Sequence, residues 1–140
     1  MPEVLSRNFG PSVMSIVRGN KLSGRKILIV EDEILIALDI EAALEDCGAI
    51  VHGPVTRLAE GVTFAKERGA EFDCAILDVN LQGEDVFPIA EVLCSLKVPF
   101  LFHTGHGDSA TLQKKFEGVP VCNKPFQTER LVEVVAELVS

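Results

Sequence analysis

The chain has 140 residues, 47% of them hydrophobic, and a formal net charge of -8 from 13 basic and 21 acidic side chains. That length and apolar content set the expectation of one globular domain with a sizeable core, and argue against disorder. The acidic balance disfavours nucleic acid as a partner, because phosphate contact needs Lys and Arg. No apolar run approaches the roughly 18 residues that a membrane-spanning helix needs. The N-terminus lacks a continuous apolar core followed by a small-residue cleavage site, so the expected location is cytoplasmic. Cys47, Cys74, Cys94 and Cys122 form no C-x-x-C pair, and each lies in or beside an apolar segment. They are expected as small core residues and not as zinc ligands or disulfides.

In chain order, residues 1–24 carry no sustained period and are broken by Gly10-Pro11, Gly19-Asn20 and Ser23-Gly24. They read as a flexible extension. Lys26 to Val30 reads as a buried strand that ends in Glu31-Asp32-Glu33. Ile34 to Cys47 fits a helix laid broadly on a sheet, with Ile34, Leu38, Leu44 and Cys47 apolar and Gly48 as its stop. Ala49 to Gly53 is a second strand closed by Pro54, and Leu58 to Arg68 is a weaker helix ended by Gly69. Cys74 to Val79 is a short apolar run interrupted by Asp78, the pattern of a strand buried on both faces. A loop with a Gly turn follows at 81–84. Val86 to Leu96 is a helix with Pro88 in its first turn, where a missing N–H costs little. Val98 to Phe102 is a strand running into His103-Thr104-Gly105-His106-Gly107-Asp108. Ser109 to Glu117 has a weak helical pattern flanked by glycine. Val119 to Cys122 is a fifth strand whose Pro120 suggests a sheet edge. It leads into Asn123-Lys124-Pro125-Phe126 and a last helix, Thr128 to Val139, with Thr128 as its N-cap. Five alternations of strand and helix predict an α/β fold, a doubly wound five-stranded parallel sheet. No second domain is expected.

Each apolar strand stops in polar residues, and a parallel sheet delivers all of them to one edge, where open α/β folds place their ligands. The delivered set is Glu31 and Asp32, Asp78, Thr104, and Lys124. Asp32 and Asp78 are expected as neighbours across the crevice. Clustered carboxylates repel one another unless a cation lies between them, and an incomplete all-oxygen cage suits Mg²⁺. An aspartate beside that ion is a nucleophile for aspartyl phosphate formation. Lys124 and the Thr104 hydroxyl offer charge and a hydrogen bond to phosphoryl oxygens. Taken one at a time, these residues have plain readings: a turn aspartate, an acidic helix start, a solvated lysine. Four strand ends with complementary chemistry are harder to explain that way. His103 and His106 have no third ligand at metal spacing, and His106 reads as an exposed loop residue that tunes water access. His52 reads as an ordinary strand-end residue. Phe100, Phe102 and Phe126 read as packing.

Val30-Glu31-Asp32-Glu33, Ile76-Leu77-Asp78-Val79-Asn80-Leu81, Thr104-Gly105 and Asn123-Lys124-Pro125-Phe126 together resemble the receiver domains of two-component response regulators. The resemblance covers residues 25–140 and implies a flavodoxin-like (β/α)5 fold with strand order 2-1-3-4-5. It implies Asp78 as phospho-acceptor, Asp32 as a direct Mg²⁺ ligand, Glu31 acting through water and Asn80 through its backbone carbonyl. It further implies Thr104 as the switch hydroxyl, Lys124 as the phosphate-pairing amine and a cis Lys124–Pro125 bond. The implied partners are a sensor histidine kinase or histidine phosphotransfer protein and a downstream protein of unknown identity. No external enzymatic turnover is implied. Three departures stand out. Gln82 replaces a Pro common in relatives. Val121 replaces the Tyr or Phe that couples to the switch threonine. Pro99 to Gly107 only partly resembles the Phe-x-Phe-Ala-Thr-Gly-Tyr-like motif of an atypical single-domain subfamily, whose switch is the loop after the fourth strand.

Competing readings are weaker. An Asp-nucleophile phosphatase of the haloacid dehalogenase type resembles an Asp-x-Asp pattern, and Asn80 cannot do the second residue's acid–base work. A flavodoxin-like cofactor site needs a Gly-rich, hydroxyl-rich loop where this chain has Glu31-Asp32-Glu33. A docking receiver that is never phosphorylated would not need the complete acidic, Thr and Lys set.

Overall fold

The structure, a computed structural model, describes residues 21–105 and 109–140. Five apolar segments form the sheet: β1 (Lys26–Val30), β2 (Ile50–Val55), β3 (Cys74–Asp78), β4 (Phe100–Thr104) and β5 (Val121–Asn123). All pair in parallel, in the order β2-β1-β3-β4-β5. The helices are α1 (Ile34–Asp46), α2 (Leu58–Arg68), α3 (Phe87–Ser95), α4 (Ser109–Lys115) and α5 (Thr128–Val139). This is the doubly wound, flavodoxin-like arrangement expected from the alternation of strands and helices.

Strand alternation divides the core into two layers. Leu28, Val30, Ala75, Leu77, Phe100 and Phe102 point to the side covered by α2, α3 and α4. Ile27, Ile29, Cys74, Ile76, Leu101 and Cys122 point to the side covered by α1 and α5. β3 is buried along its whole length, because it is central and has helices on both faces.

Several local expectations are corrected. α1 is not buried broadly: its inner face is Ala37, Ile40, Leu44 and Cys47, while Ile34, Leu35 and Leu38 are exposed, Leu35 at 79%. The i, i+3, i+7, i+10 spacing of the inner set is one helical stripe, and the outer apolar residues fall off it. Gly48 does close the helix, at φ +91, with its N–H donating to Glu45 O and the Ala49 N–H to Leu44 O. Gly69 ends α2 as expected, but not in a left-handed conformation. It has φ -56 and opens a 3-10 turn, Gly69–Glu71. A Cβ there would lie 2.9 Å from Leu96 Cδ1, so glycine admits the end of α3. β2 continues through Pro54 to Val55, with a register shift against β1 between Leu28 and Val30. Gly53, at φ +112, turns the strand where a Cβ would collide with the Ile29 carbonyl oxygen. Thr128 is the first helical residue of α5, and Gln127 occupies the cap position. β5 begins at Val121, just after Pro120, and is an edge strand. Three cysteines are buried as expected, but Cys94 is exposed on α3. Leu22, assigned by sequence to the extension, is fully buried in the α1/α5 layer. The expectations for residues 1–20 and for His106 lie outside the described residues.

Candidate active site

β1 ends beside β3, and β3 beside β4, so the residues just past their ends share the carboxyl edge of the sheet. An open cavity of about 310 Å³ is lined there by Asp32, Glu33, Asp78, Asn80, Gly105 and Lys124. Lys124 is its hub. Its Nζ lies 3.3 Å from Asp78 Oδ2, 3.1 Å from Glu33 Oε1 and 3.2 Å from Glu31 Oε1. Burial opposes charge on this amine, but the Asp78 and Glu31 carboxylates around it raise its pKa above the ordinary lysine value.

Glu31 is in phase with Ile27 and Ile29, which puts its side chain toward the α1/α5 layer; it is 2% exposed. One carboxylate oxygen accepts the Glu33 N–H at 3.1 Å. Burial, reinforced by a hydrogen bond to Asp78 and that residue's charge, pushes its pKa up to about 8. Asp32 is less buried, and its Oδ2 accepts the N–H of Gln82 at 3.0 Å. That bond exists because position 82 is not proline, which has no N–H to give. Gln82 and Gly83 both have positive φ, 54° and 90°. They turn a small antiparallel ribbon, Asn80–Leu81 with Glu84–Asp85, as the tightest hairpin turns require. Within that turn the Asn80 side-chain oxygen accepts the Gly83 N–H at 2.8 Å. The Asn80 N–H donates to Asp78 Oδ1 at 3.3 Å.

Thr104 ends β4 and is buried. Its carbonyl accepts the Lys124 N–H at 2.7 Å, which ties the ends of β4 and β5 together. The Lys124–Pro125 peptide is cis, and so is Gly53–Pro54, which the sequence reading did not anticipate. The structure therefore brings Asp32, Asp78, Asn80 and Lys124 to one cavity, places Glu31 against Lys124 behind it, and sets Thr104 at the adjoining strand end.

Sequence reading gave no role to Glu33 or His103. Carboxylate oxygens of Glu31, Glu33 and Asp78 lie within 4.8 Å of one another. Glu33 is separated from Lys124 by 91 positions, so only the strand order reveals the pair. His103 is the register partner of Asp78 on β4, and this alternation was the available signal. Its imidazole is buried, and among the described residues neither nitrogen has a partner. Burial, aided by the nearby Lys124 charge, pulls its pKa down to about 4.

Among the described residues the cavity lining offers the carboxylates of Asp32, Glu33 and Asp78 and the amide of Asn80 beside Lys124. Crowded carboxylates and peptide carbonyls of this kind fit a hard divalent cation. Burial and the neighbouring Asp78 raise the pKa of Glu31, and a bound cation would oppose that rise.

A sequence model of the response regulator receiver domain matches residues 27–136. The chain is 29% identical over 114 residues to the phyllosphere-induced regulator PhyR of Methylorubrum extorquens, covering 80% of this chain and 42% of that protein. It thus spans about two fifths of that relative's length. Among solved structures, a response regulator receiver protein from Sinorhizobium medicae superposes with a TM-score of 0.73 at 26% identity, covering 84% of this chain and 96% of that one. The receiver domain of a sensor histidine kinase from Pseudomonas aeruginosa superposes with a TM-score of 0.69 at 25% identity, covering 84% and 98%. That structure has a magnesium ion coordinated in its active site cleft. Among the described residues no helix is long and apolar enough to cross a membrane.

Proposed function

This chain belongs to the response regulator receiver domain family, and from that premise we propose that Asp78 accepts a phosphoryl group from the phosphohistidine of a sensor histidine kinase or histidine phosphotransfer protein. The observation that carries this reading is the Lys124 ammonium 3.3 Å from Asp78 Oδ2, in a cavity shared with Asp32 and Asn80. An Asp78 oxygen forms the new O–P bond as the donor's P–N bond breaks, and the imidazole leaves. Asp32, Asp78 and the Asn80 backbone carbonyl would hold Mg²⁺, with Glu31 acting through water, and the ion would supply neutralising charge at the phosphoryl oxygens. The placement of Asn80 agrees with backbone ligation, since its side-chain oxygen is engaged in the turn.

Lys124 begins in contact with three carboxylates and re-pairs with a phosphoryl oxygen. Thr104 offers its hydroxyl to another. Because the Thr104 carbonyl accepts the Lys124 N–H, a shift at either residue is felt at the other. With Val121 in place of an aromatic, the aromatic layer beneath Thr104 is the route outward. Phe102, two residues earlier on the same face, lies 5.4 Å from Phe116 at the end of α4. The output is a changed surface for a protein partner, with no turnover of an external substrate.

Intact mass after incubation with acetyl phosphate and Mg²⁺ tests the reading. One base-labile phosphoryl group on the wild type is expected, absent in Asp78→Asn and absent without Mg²⁺. A gain that persists in Asp78→Asn would overturn the assignment.

A further inference from the structure

A second cavity, of about 360 Å³, opens between α1 and the start of α5. Ile36 and Ile40 from α1 wall one side, and Pro125 and Phe126 wall the other. His103 and Lys124 form the part nearest the sheet. The size falls in the range of small-molecule sites, which are mostly apolar with a few fixed polar groups. The polar group here is unusual. His103 is 4% exposed, and neither ring nitrogen has a partner among the described residues. A buried polar group without a hydrogen bond is a standing cost to the fold, and a partner that supplies one is correspondingly favoured. Water does not serve it, because both nitrogens are closed off from solvent.

We infer that this cavity binds a small uncharged molecule with an apolar ring and a hydroxyl group, the ring against Ile36, Ile40 and Phe126 and the hydroxyl on the His103 imidazole. A hydroxyl both donates and accepts, so it suits either nitrogen of a neutral imidazole. Both nitrogens are buried, so binding requires the ring to turn toward the cavity, which the broad histidine ring torsion permits. An anion would meet the exposed Asp39 carboxylate at the same cavity. The only cation lining it, Lys124, is already surrounded by carboxylates. Lys124 and Gly105 line both this cavity and the phospho-acceptor cavity. An occupant here therefore touches the side chain that pairs with Asp78.

The test uses 4-ethylphenol and ethylbenzene as probes on the unphosphorylated full chain, so its outcome does not depend on phosphoryl transfer. Amide and imidazole ¹⁵N resonances are followed in titrations. The phenol should bind about tenfold tighter than ethylbenzene, the gain from satisfying one buried group, and should move an imidazole nitrogen of His103. In His103→Leu the preference should vanish while ethylbenzene still binds. In Ile36→Trp, which fills the cavity, both probes should be lost. Equal affinities in the wild type, or shifts that miss Ile36, Ile40 and His103, would overturn the inference.

Discussion

The two faces of the sheet are built from the same kind of strand but solve different problems. On the α2/α3/α4 side, Phe87, Phe100, Phe102 and Phe116 form one aromatic layer, with Phe102 and Phe116 at 5.4 Å and Phe87 and Phe116 at 5.5 Å. Lys115 caps it, its Nζ 5.1 Å from the Phe87 ring centroid. On the α1/α5 side the buried residues are aliphatic, alanine and cysteine. The strand-end residues in phase with that side are Glu31, Asp78 and His103. The first face carries the aromatic layer; the second carries charge, an imidazole without a partner among the described residues, and the cavity beside Lys124. Stability is thus concentrated behind the site and chemistry in front of it. The sheet's two-residue period allows that separation within single strands.

The largest test of this contrast is Phe102→Ala, which should cost about 3–5 kcal/mol by urea unfolding. Its chemical-shift changes should stay on α3 and α4; changes spread equally over α1 and α5 would break the division. Next is His103→Leu, a near-isosteric swap on the other face. Removing a buried polar group that bonds nothing should raise stability by about 1–2 kcal/mol, and a lowered urea midpoint would show that the imidazole has a partner after all. A third test reads pH, with opposite signs for two groups. Glu31 binds its proton more tightly folded than unfolded, so its contribution is complete below pH 4.5 and fades as pH rises through about 8. His103 is the reverse: its contribution is present above pH 6.5 and fades as pH falls toward about 4. Each slope is bounded by about 1.4 kcal/mol per pH unit for one proton. Glu31→Gln should remove the alkaline slope and His103→Leu the acid one, while Mg²⁺ should flatten only the alkaline side.

The strand ends were legible because a buried parallel strand is a short apolar run, and polar residues can only begin where burial stops. That is why the fold and its ligand edge followed from the chain. Which acid is buried was legible in principle, since Glu31 continues the Ile27, Ile29 phase while Asp32 does not. The lining of α1 was not. A helix apolar nearly all round has no contrast to read, and Ala37 ranks below Leu38 on any hydrophobicity argument although only Ala37 is buried. The ion pair between Glu33 and Lys124 depends on strand order, which no local pattern encodes. Gly53 was read as a strand residue and Gly69 as a helix stop, whereas their lack of a side chain answers a close approach from β1 and α3.

Leu22 gives a different kind of lesson, about where a working fragment of this protein has to start. The family match begins at residue 27. Yet Leu22 fills the bottom of the α1/α5 layer, its N–H donates to Cys47 O at 2.8 Å, and the Gly24 N–H donates to Gly48 O at 3.0 Å. Homology marks the parts that relatives share, and packing marks the parts this chain cannot do without. A fragment trimmed to residue 25 would leave an emptied pocket, with a loss of about 2–5 kcal/mol by analogy with large-to-small core changes. A fragment trimmed to residue 21 keeps Leu22 and should melt above the one trimmed to residue 25; equal melting of the two cuts, read by thermal unfolding, would show that Leu22 adds nothing to the cooperative unit.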